Sequence, residues 1–234
     1  MNGMNQEFNG YHGYADPEVA VRKTMVGVYG WMTLALIISA VTGFLIASNY
    51  NLLYTLAATS AYWVVAIAEI VVVVMISARS HKMSSAAAKA WFVVYAILNG
   101  VTFGSIFAIY GLGVAGYAFL VTAIVFAVMT VYGYVTKTDL SKIGNLFFMA
   151  LIGILIATVF NFIFPMPGFS RAIMYVTVVV FIGLIGWDTQ KIKQLAYAES
   201  QGLVRNASII GALTLYLDFI NIFIRLVSIM GRDD

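Results

Sequence analysis

The chain contains no cysteine and very little charge, and each shortage excludes a class of protein. Without cysteine there is no disulfide, no thiolate metal site and no cysteine nucleophile. Only 10% of the 234 residues are charged while 62% are hydrophobic, which leaves too few polar side chains to cover a soluble domain. The composition therefore predicts an integral membrane protein.

Histidine is also scarce, and the sequence motifs of hydrolytic enzymes are missing. His12 and His81 lie outside the apolar runs and lack the neighbours that a metal site needs. Neither H-E-x-x-H nor G-x-S-x-G occurs. The glycines of 111–116 formally match a dinucleotide-binding pattern, but no strand precedes them, so they predict a turn between two helices. We expect no catalytic residue, no bound cofactor and no nucleic-acid partner, and the lack of lysine in the last apolar run excludes a retinal protein.

Seven apolar runs follow one another, each long enough to cross about 30 Å of hydrocarbon as a helix. They lie at about 25–48, 55–78, 88–110, 114–135, 143–164, 171–190 and 207–229. Unbroken runs are not barrel strands, in which polar and apolar residues alternate. The sequence predicts an all-α integral membrane protein with seven transmembrane helices. We expect a disordered cytoplasmic tail over 1–16 and a membrane domain over 17–234, whose first helix starts at Asp16-Pro17-Glu18.

Basic residues near the ends of the runs predict the orientation, because cytoplasmic loops are enriched in Lys and Arg. Alternate loops place ten basic residues on one side of the membrane and one, Arg171, on the other. The ten are Arg22, Lys23, Arg79, Lys82, Lys89, Lys137, Lys142, Lys191, Lys193 and Arg205. We expect a cytoplasmic amino terminus and, after seven crossings, an external carboxyl terminus. A re-entrant final segment would instead return the carboxyl terminus to the cytoplasm.

The last apolar run carries polar side chains along one face. Thr214, Asp218, Asn221 and Arg225 are spaced by four, three and four residues, which places them in one helical stripe. Such a stripe is costly against lipid, so we expect it to face the bundle interior or a water-filled path. This would put the last helix at the centre of the bundle. The competing interpretation is that these groups only hydrogen-bond helices to one another.

Two aspartates stand out as a candidate pair. Asp188, near the cytoplasmic end of the sixth run, can approach Asp218 if the two helices are neighbours. Two carboxylates in a medium of low dielectric resist simultaneous ionisation and would share one proton, which makes a pH-sensitive element. Carboxylate oxygens also bind hard cations, but so few acids allow only weak, transient binding of calcium. The alternative is that Asp188 is an ordinary acid at a helix end.

The second run holds two further charged residues. Glu69, near its middle, must be protonated or paired in hydrocarbon. Arg79, at its cytoplasmic end, could reach toward Asp188, or it could be one of the positive charges that set the orientation.

Two segments resemble the signature of the Bax inhibitor-1 family, also called the transmembrane Bax inhibitor motif family. They read ALTLYLDFINIF over 212–223 and GWDTQKIK over 186–193. The L-Y-L-D-F-I-N stretch is highly specific, and the resemblance extends over about 22–231. The chain is most similar to bacterial members, which have a short amino-terminal tail.

The resemblance implies a seven-helix fold with the last helix central and a pH-sensitive calcium leak. Asp188 and Asp218 would then be the proton sensor and gate, and Glu69 would lie on the conduction path. A basic residue at the cytoplasmic end of the second helix would be an alternative gate partner. Arg79 is the candidate, although an ungapped match from Glu69 puts Ser80 at that position. The predicted ion path or gate partners are Glu69, Arg79, Asn221 and Thr214.

The main hypothesis is therefore a calcium leak in the plasma membrane, which is the inner membrane of a Gram-negative bacterium. Its partners would be lipid, protons and calcium as the permeant ion. The rival hypothesis is a non-transporting regulator that binds a stress-response partner or a membrane AAA protease of the FtsH type, as some bacterial relatives do. An intramembrane aspartyl protease is disfavoured because its Y-D and G-x-G-D signatures are missing around both aspartates. A proton-coupled transporter would need a substrate pocket that the sequence does not reveal.

Overall fold

The computed structural model describes residues 17–231, and within that range it contains helices and no strand. The helices are α1 (Pro17–Ala47), α2 (Tyr50–Ala58), α3 (Ala61–Arg79), α4 (Ser85–Val135), α5 (Ser141–Ile163), α6 (Pro167–Ser200) and α7 (Ala207–Met230). The first helix begins at Pro17, as predicted. Its predicted cap, Asp16, and the predicted disordered tail lie outside the described residues.

Six of the described helices are long and apolar enough to cross a membrane. The exception is α2, which has only nine residues. The sequence-based prediction that the second span begins at residue 55 was therefore wrong. The Asn49 side chain accepts the N–H of Leu52 at 3.1 Å and starts α2, and the Thr59 hydroxyl accepts the N–H of Ala61 at 3.2 Å where α3 begins. These local hydrogen bonds separate the two helices, because they satisfy backbone groups that a continuous helix would use.

Helix α4 has 51 residues, and a straight helix of that length would measure about 77 Å. It is interrupted at Gly111, whose φ of 78° and ψ of 154° are not helical. We call 85–110 its first arm and 112–135 its second arm. The turn predicted over 111–116 is therefore confined to one residue, since Leu112 already belongs to the second arm.

The two arms run in opposite directions along α7. In the first arm, Tyr95 packs against Tyr216 with ring centres 5.8 Å apart, and Phe103 packs against Phe223 at 5.2 Å. In the second arm the order is reversed, because Phe119 contacts Phe223 and Phe126, further along the chain, contacts Phe219. The chain thus turns back on itself at Gly111.

We expect Gly111→Ala to destabilise the protein by about 2 kcal/mol, because positive φ with extended ψ is a conformation available essentially to glycine alone. Gly113→Ala is the matched control. Gly113 is helical, and an added Cβ would meet no atom within 4 Å, so this change should be neutral or slightly stabilising. Unfolding in detergent micelles by a denaturing detergent measures both. Equal stability of the two variants would contradict a strained turn at Gly111.

Hydrogen bonds join connecting segments at one end of the bundle. The Asn206 amide, just before α7, donates to the carbonyls of Ser80 at 2.7 Å and Met83 at 3.1 Å. The Gln190 amide donates to the Thr138 carbonyl at 3.0 Å and accepts the Leu140 N–H at 2.9 Å. We call this the basic end, because the ten basic residues assigned to one side by the loop pattern lie in or beside these segments.

Helix α7 is the most buried of the long helices and packs against α1, α4 and α6. Thirteen of its 24 residues are buried. Helix α3 packs mainly on α4, and α5 on α6, so these two helices lie further out. Gly100 and Gly104 allow α1 to approach the first arm closely, since a Cβ on either would collide with Thr42 or Ile46.

Candidate functional site

Asp188 of α6 and Asp218 of α7 are brought together inside the bundle. Their side chains are only 8% and 4% exposed, and the two carboxyl groups are close enough to interact with each other. The Oδ2 atom of Asp218 is buried and has no hydrogen-bond partner in the described part of the chain. Two carboxyl groups this close in a poorly hydrated space favour sharing one proton over carrying two negative charges.

The cation that acts on this pair is Lys191, one turn further along α6. It interacts electrostatically with Asp188, and its Nζ lies 4.8 Å from the centre of the Trp187 ring. The Lys191 side chain is exposed, so solvent weakens its attraction for the buried carboxyl group. The pair is therefore only partly compensated by positive charge.

The predicted gate partner on α3 does not contact the aspartates. Arg79 is exposed at the end of α3, and no salt bridge joins it to Asp188 or Asp218 among residues 17–231. Ser80, the other candidate, is fully buried with a hydroxyl that has no hydrogen-bond partner in that range. Within the described residues, neither candidate is joined to the pair by a hydrogen bond or a salt bridge.

The remaining polar residues of the α7 stripe are half-buried. The Thr214 hydroxyl donates to the Ile210 carbonyl at 3.0 Å, and the Asn221 amide donates to the Leu217 carbonyl at 2.8 Å. Both groups are satisfied by their own helix, so they do not need a partner on another helix. Arg225 is half-buried like Thr214 and Asn221, so Asp218 is the buried member of the stripe.

Glu69 lies at a different contact, between α3 and the first arm. It is half-buried, and its Oε1 atom accepts the Thr102 hydroxyl at 2.7 Å. It interacts electrostatically with Tyr95 and Tyr216, and no contact with either aspartate is present in the described residues. The structure therefore brings Asp188 and Asp218 together and leaves Glu69 at a separate position.

Sequence reasoning missed a pair of buried hydroxyl groups between α1 and α7. The Tyr216 hydroxyl lies 2.6 Å from the Ser39 hydroxyl, which donates to the Ala96 carbonyl at 2.7 Å. These contacts tie α1, the first arm and α7 together. The signal was present in Ser39, a polar side chain within an otherwise apolar run.

A second missed feature is the carboxylate of Glu199, which holds the start of α7. Its Oε1 atom accepts the N–H of Ala207 at 2.9 Å, and its Oε2 atom accepts the Thr24 hydroxyl at 3.1 Å. A carboxylate at a helix amino terminus accepts a backbone N–H that has no partner within the helix. Its negative charge also interacts favourably with the positive end of the helix dipole. Glu199 therefore links α6, α1 and α7 at the basic end.

No group of three or more acidic or histidine side chains that could hold a metal ion occurs among residues 17–231. At the aspartate pair, a calcium ion would find two carboxyl groups. Calcium usually takes six to eight oxygen ligands, so this arrangement suits a brief contact better than a permanent site.

Comparison with known proteins identifies the family. The sequence model described as "Inhibitor of apoptosis-promoting Bax1" matches residues 21–234. The chain is 38% identical over 220 residues to the inner membrane protein YbhL of Escherichia coli strain K12, which covers 92% of this chain and 94% of that one. It is 37% identical over 215 residues to a protein of Deinococcus radiodurans, with 92% of each chain covered. A match of this length, together with six apolar helices of membrane-spanning length, shows that the chain is a multi-pass membrane protein of the Bax inhibitor-1 family.

Proposed function

We propose that this protein is a pH-gated leak for calcium and related cations, with Asp188 and Asp218 as its gate. The observation that carries the proposal is the contact between two buried carboxyl groups, one of which has an oxygen without a hydrogen-bond partner in the described residues. Ionisable residues within a membrane are rare and costly, and they mark ion and proton pathways.

The proposal includes seven crossings of the membrane with α7 at the centre. The opposite directions of the two arms of α4 support it, because each arm alone is long enough to span the hydrocarbon. The burial of α7 supports its central place. The positive charge of the basic end supports a cytoplasmic position for that end and for the amino terminus.

Gating follows from the charge of the pair. With one shared proton, the carboxyl groups hold α6 against α7 and close the path. Two unit charges 4 Å apart repel by about 4 kcal/mol at an effective dielectric constant of 20, so loss of that proton pushes the helices apart. Cations then reach the carboxylates and pass the half-buried oxygens of Thr214 and Asn221, with Glu69 as a further acidic group on the path.

Calcium flux into liposomes containing the purified protein tests the gate. Wild-type flux should rise about tenfold from about pH 5 to about pH 8.5 as the pair loses its proton. Asp218→Asn and Asp188→Asn should each remove most of this pH dependence, because one remaining charge cannot repel a neutral amide.

Asp139→Asn is the matched control. Asp139 is exposed at the same end of the bundle, and hydrogen bonds from the side chain and backbone of Ser141 lower the pKa of Asp139, so it remains ionised throughout that range. Its variant should keep the wild-type profile. Unchanged profiles in both Asp188→Asn and Asp218→Asn would remove the gate. Absence of flux at every pH would remove the leak and favour the regulator of a membrane protease or stress-response partner.

A further inference from the structure

An open cleft of about 880 Å³ lies at the basic end, between the start of α1, the end of the second arm and α6. Its volume falls within the usual range for small-molecule pockets. Its charged lining residues are Arg22, Lys137, Lys193, Glu18 and Asp139. The cleft therefore lies at the ends of three helices, on the side of the bundle that carries the basic residues.

The three basic residues keep their charge available. None of them forms a salt bridge within residues 17–231. The Lys193 ammonium group lies 4.7 Å from the Tyr134 ring centre and donates to the Tyr134 carbonyl at 3.4 Å, and both of these groups are neutral. Of the two acids, Asp139 is engaged in accepting the Ser141 N–H at 2.9 Å. Positive charge is in excess, and it favours an anion.

An apolar groove continues from this region along the same two helices. Two cavities of about 300 and 290 Å³ lie between α1 and the second arm. Both are lined by Leu36, Ala40, Phe119 and Phe219, so they form one groove. From residue 29 to residue 44 of α1 the groove extends over about 22 Å, more than the roughly 15 Å of one leaflet's hydrocarbon.

Three hydroxyl groups lie between the cleft and the groove. The Tyr29 hydroxyl is close to those of Thr130 and Thr189, yet none of the three makes a hydrogen bond of good geometry within the described residues. Tyr29 is two helical turns from Arg22, or about 10 Å. Buried donors without acceptors cost about 1–3 kcal/mol each. These atoms are enclosed by protein, so a ligand would contact the helices on either side of the cluster and not its hydroxyl groups.

We infer that the cleft and groove together bind one anionic phospholipid. Its phosphate contacts Arg22, Lys137 and Lys193, and one acyl chain lies between α1 and the second arm. Basic pockets between transmembrane helices at the cytoplasmic surface are known to hold such headgroups. This inference does not depend on the proposed leak, since it concerns a different face of α6.

Native mass spectrometry tests whether the basic cleft binds the lipid phosphate. The full-length protein is titrated with phosphatidylglycerol or with phosphatidylcholine that carries the same acyl chains. We expect one phosphatidylglycerol to bind about 100-fold more tightly than phosphatidylcholine, since each of the three bases contributes about fivefold. Arg22→Gln, Lys137→Gln and Lys193→Gln combined should abolish this preference. The control combines Lys82→Gln, Lys142→Gln and Arg205→Gln, which remove the same charge from the same end outside the cleft, and it should keep the preference.

A second pair of variants tests the groove. Ala123→Phe fills it and should weaken binding of both lipids about tenfold or more. Ala127→Phe, one turn along the same helix and exposed, should leave binding unchanged. The site would be overturned if the wild-type protein bound the two lipids equally. It would also be overturned if the two triple variants showed the same preference for phosphatidylglycerol. Displacement of the lipid by an equal concentration of inorganic phosphate would show a simple anion site and overturn the role of the groove.

Discussion

Replacing Tyr216 with alanine should destabilise the protein by about 3–5 kcal/mol, the usual cost of deleting a buried aromatic side chain. Tyr216 is fully buried in α7. Its ring packs edge to face with Phe92 and Tyr95, each with a centre-to-centre distance of 5.8 Å. Its loss would also leave a cavity where α1, the first arm and α7 meet. The free energy of unfolding in mixed detergent micelles is the measurement.

Two variants separate the contribution of the Tyr216 hydroxyl from that of its buried ring. Tyr216→Phe removes only the hydroxyl and should cost about 1 kcal/mol, because Ser39 keeps its bond to the Ala96 carbonyl. Tyr117→Ala removes the same side chain from a position that is 68% exposed on the second arm, and it should change stability by less than about 0.5 kcal/mol. If Tyr216→Ala were no more damaging than Tyr117→Ala, α7 could not be packed as described.

Replacing Glu199 with alanine should cost about 3 kcal/mol, because two hydrogen bonds to a charged group are lost together. The N–H of Ala207 would lose its acceptor, and the Thr24 hydroxyl of α1 would lose its acceptor on α6. The first turn of α7 should therefore open more often. Hydrogen exchange over 207–211 reports this directly and should accelerate more than exchange elsewhere in α7.

Glu199→Gln and Ser200→Ala complete this test. The glutamine keeps an oxygen acceptor for Ala207 without the charge, so its loss of stability should be about half as large. The Ser200 hydroxyl bonds only to the Tyr197 carbonyl of its own helix, so Ser200→Ala should be near neutral. Uniform acceleration of exchange along all of α7 in Glu199→Ala would contradict a local contact at its start.

Long apolar stretches and the two segments that resemble the family signature were enough to predict the helical membrane fold and the family. Hydropathy is averaged over a window of many residues, so it locates an apolar segment well and the ends of its helix poorly. The break between α2 and α3 depends on side-chain hydrogen bonds at Asn49 and Thr59, which are invisible to a hydropathy average. The single-residue turn at Gly111 was likewise predicted as a longer segment, because the neighbouring glycines are compatible with helix.

The candidate site was only partly accessible from the sequence. Helical spacing placed Asp218 in a polar stripe, but it could not show that Thr214 and Asn221 bond to their own helix. The hydroxyl pair of Ser39 and Tyr216 joins residues 177 positions apart. Such contacts depend on which helices become neighbours, and the order of apolar runs along a chain does not specify that.

The length of α6 has a mechanical consequence. Its 34 residues span about 51 Å, well beyond the roughly 30 Å of hydrocarbon, without a break. Asp188 and Ser200 are thus connected by about 18 Å of continuous helix, and a tilt of α6 by about 10° would move Ser200 by about 3 Å relative to Asp188. A spectroscopic label at the end of α6 could therefore follow the movement of α6 that the proposed gate requires.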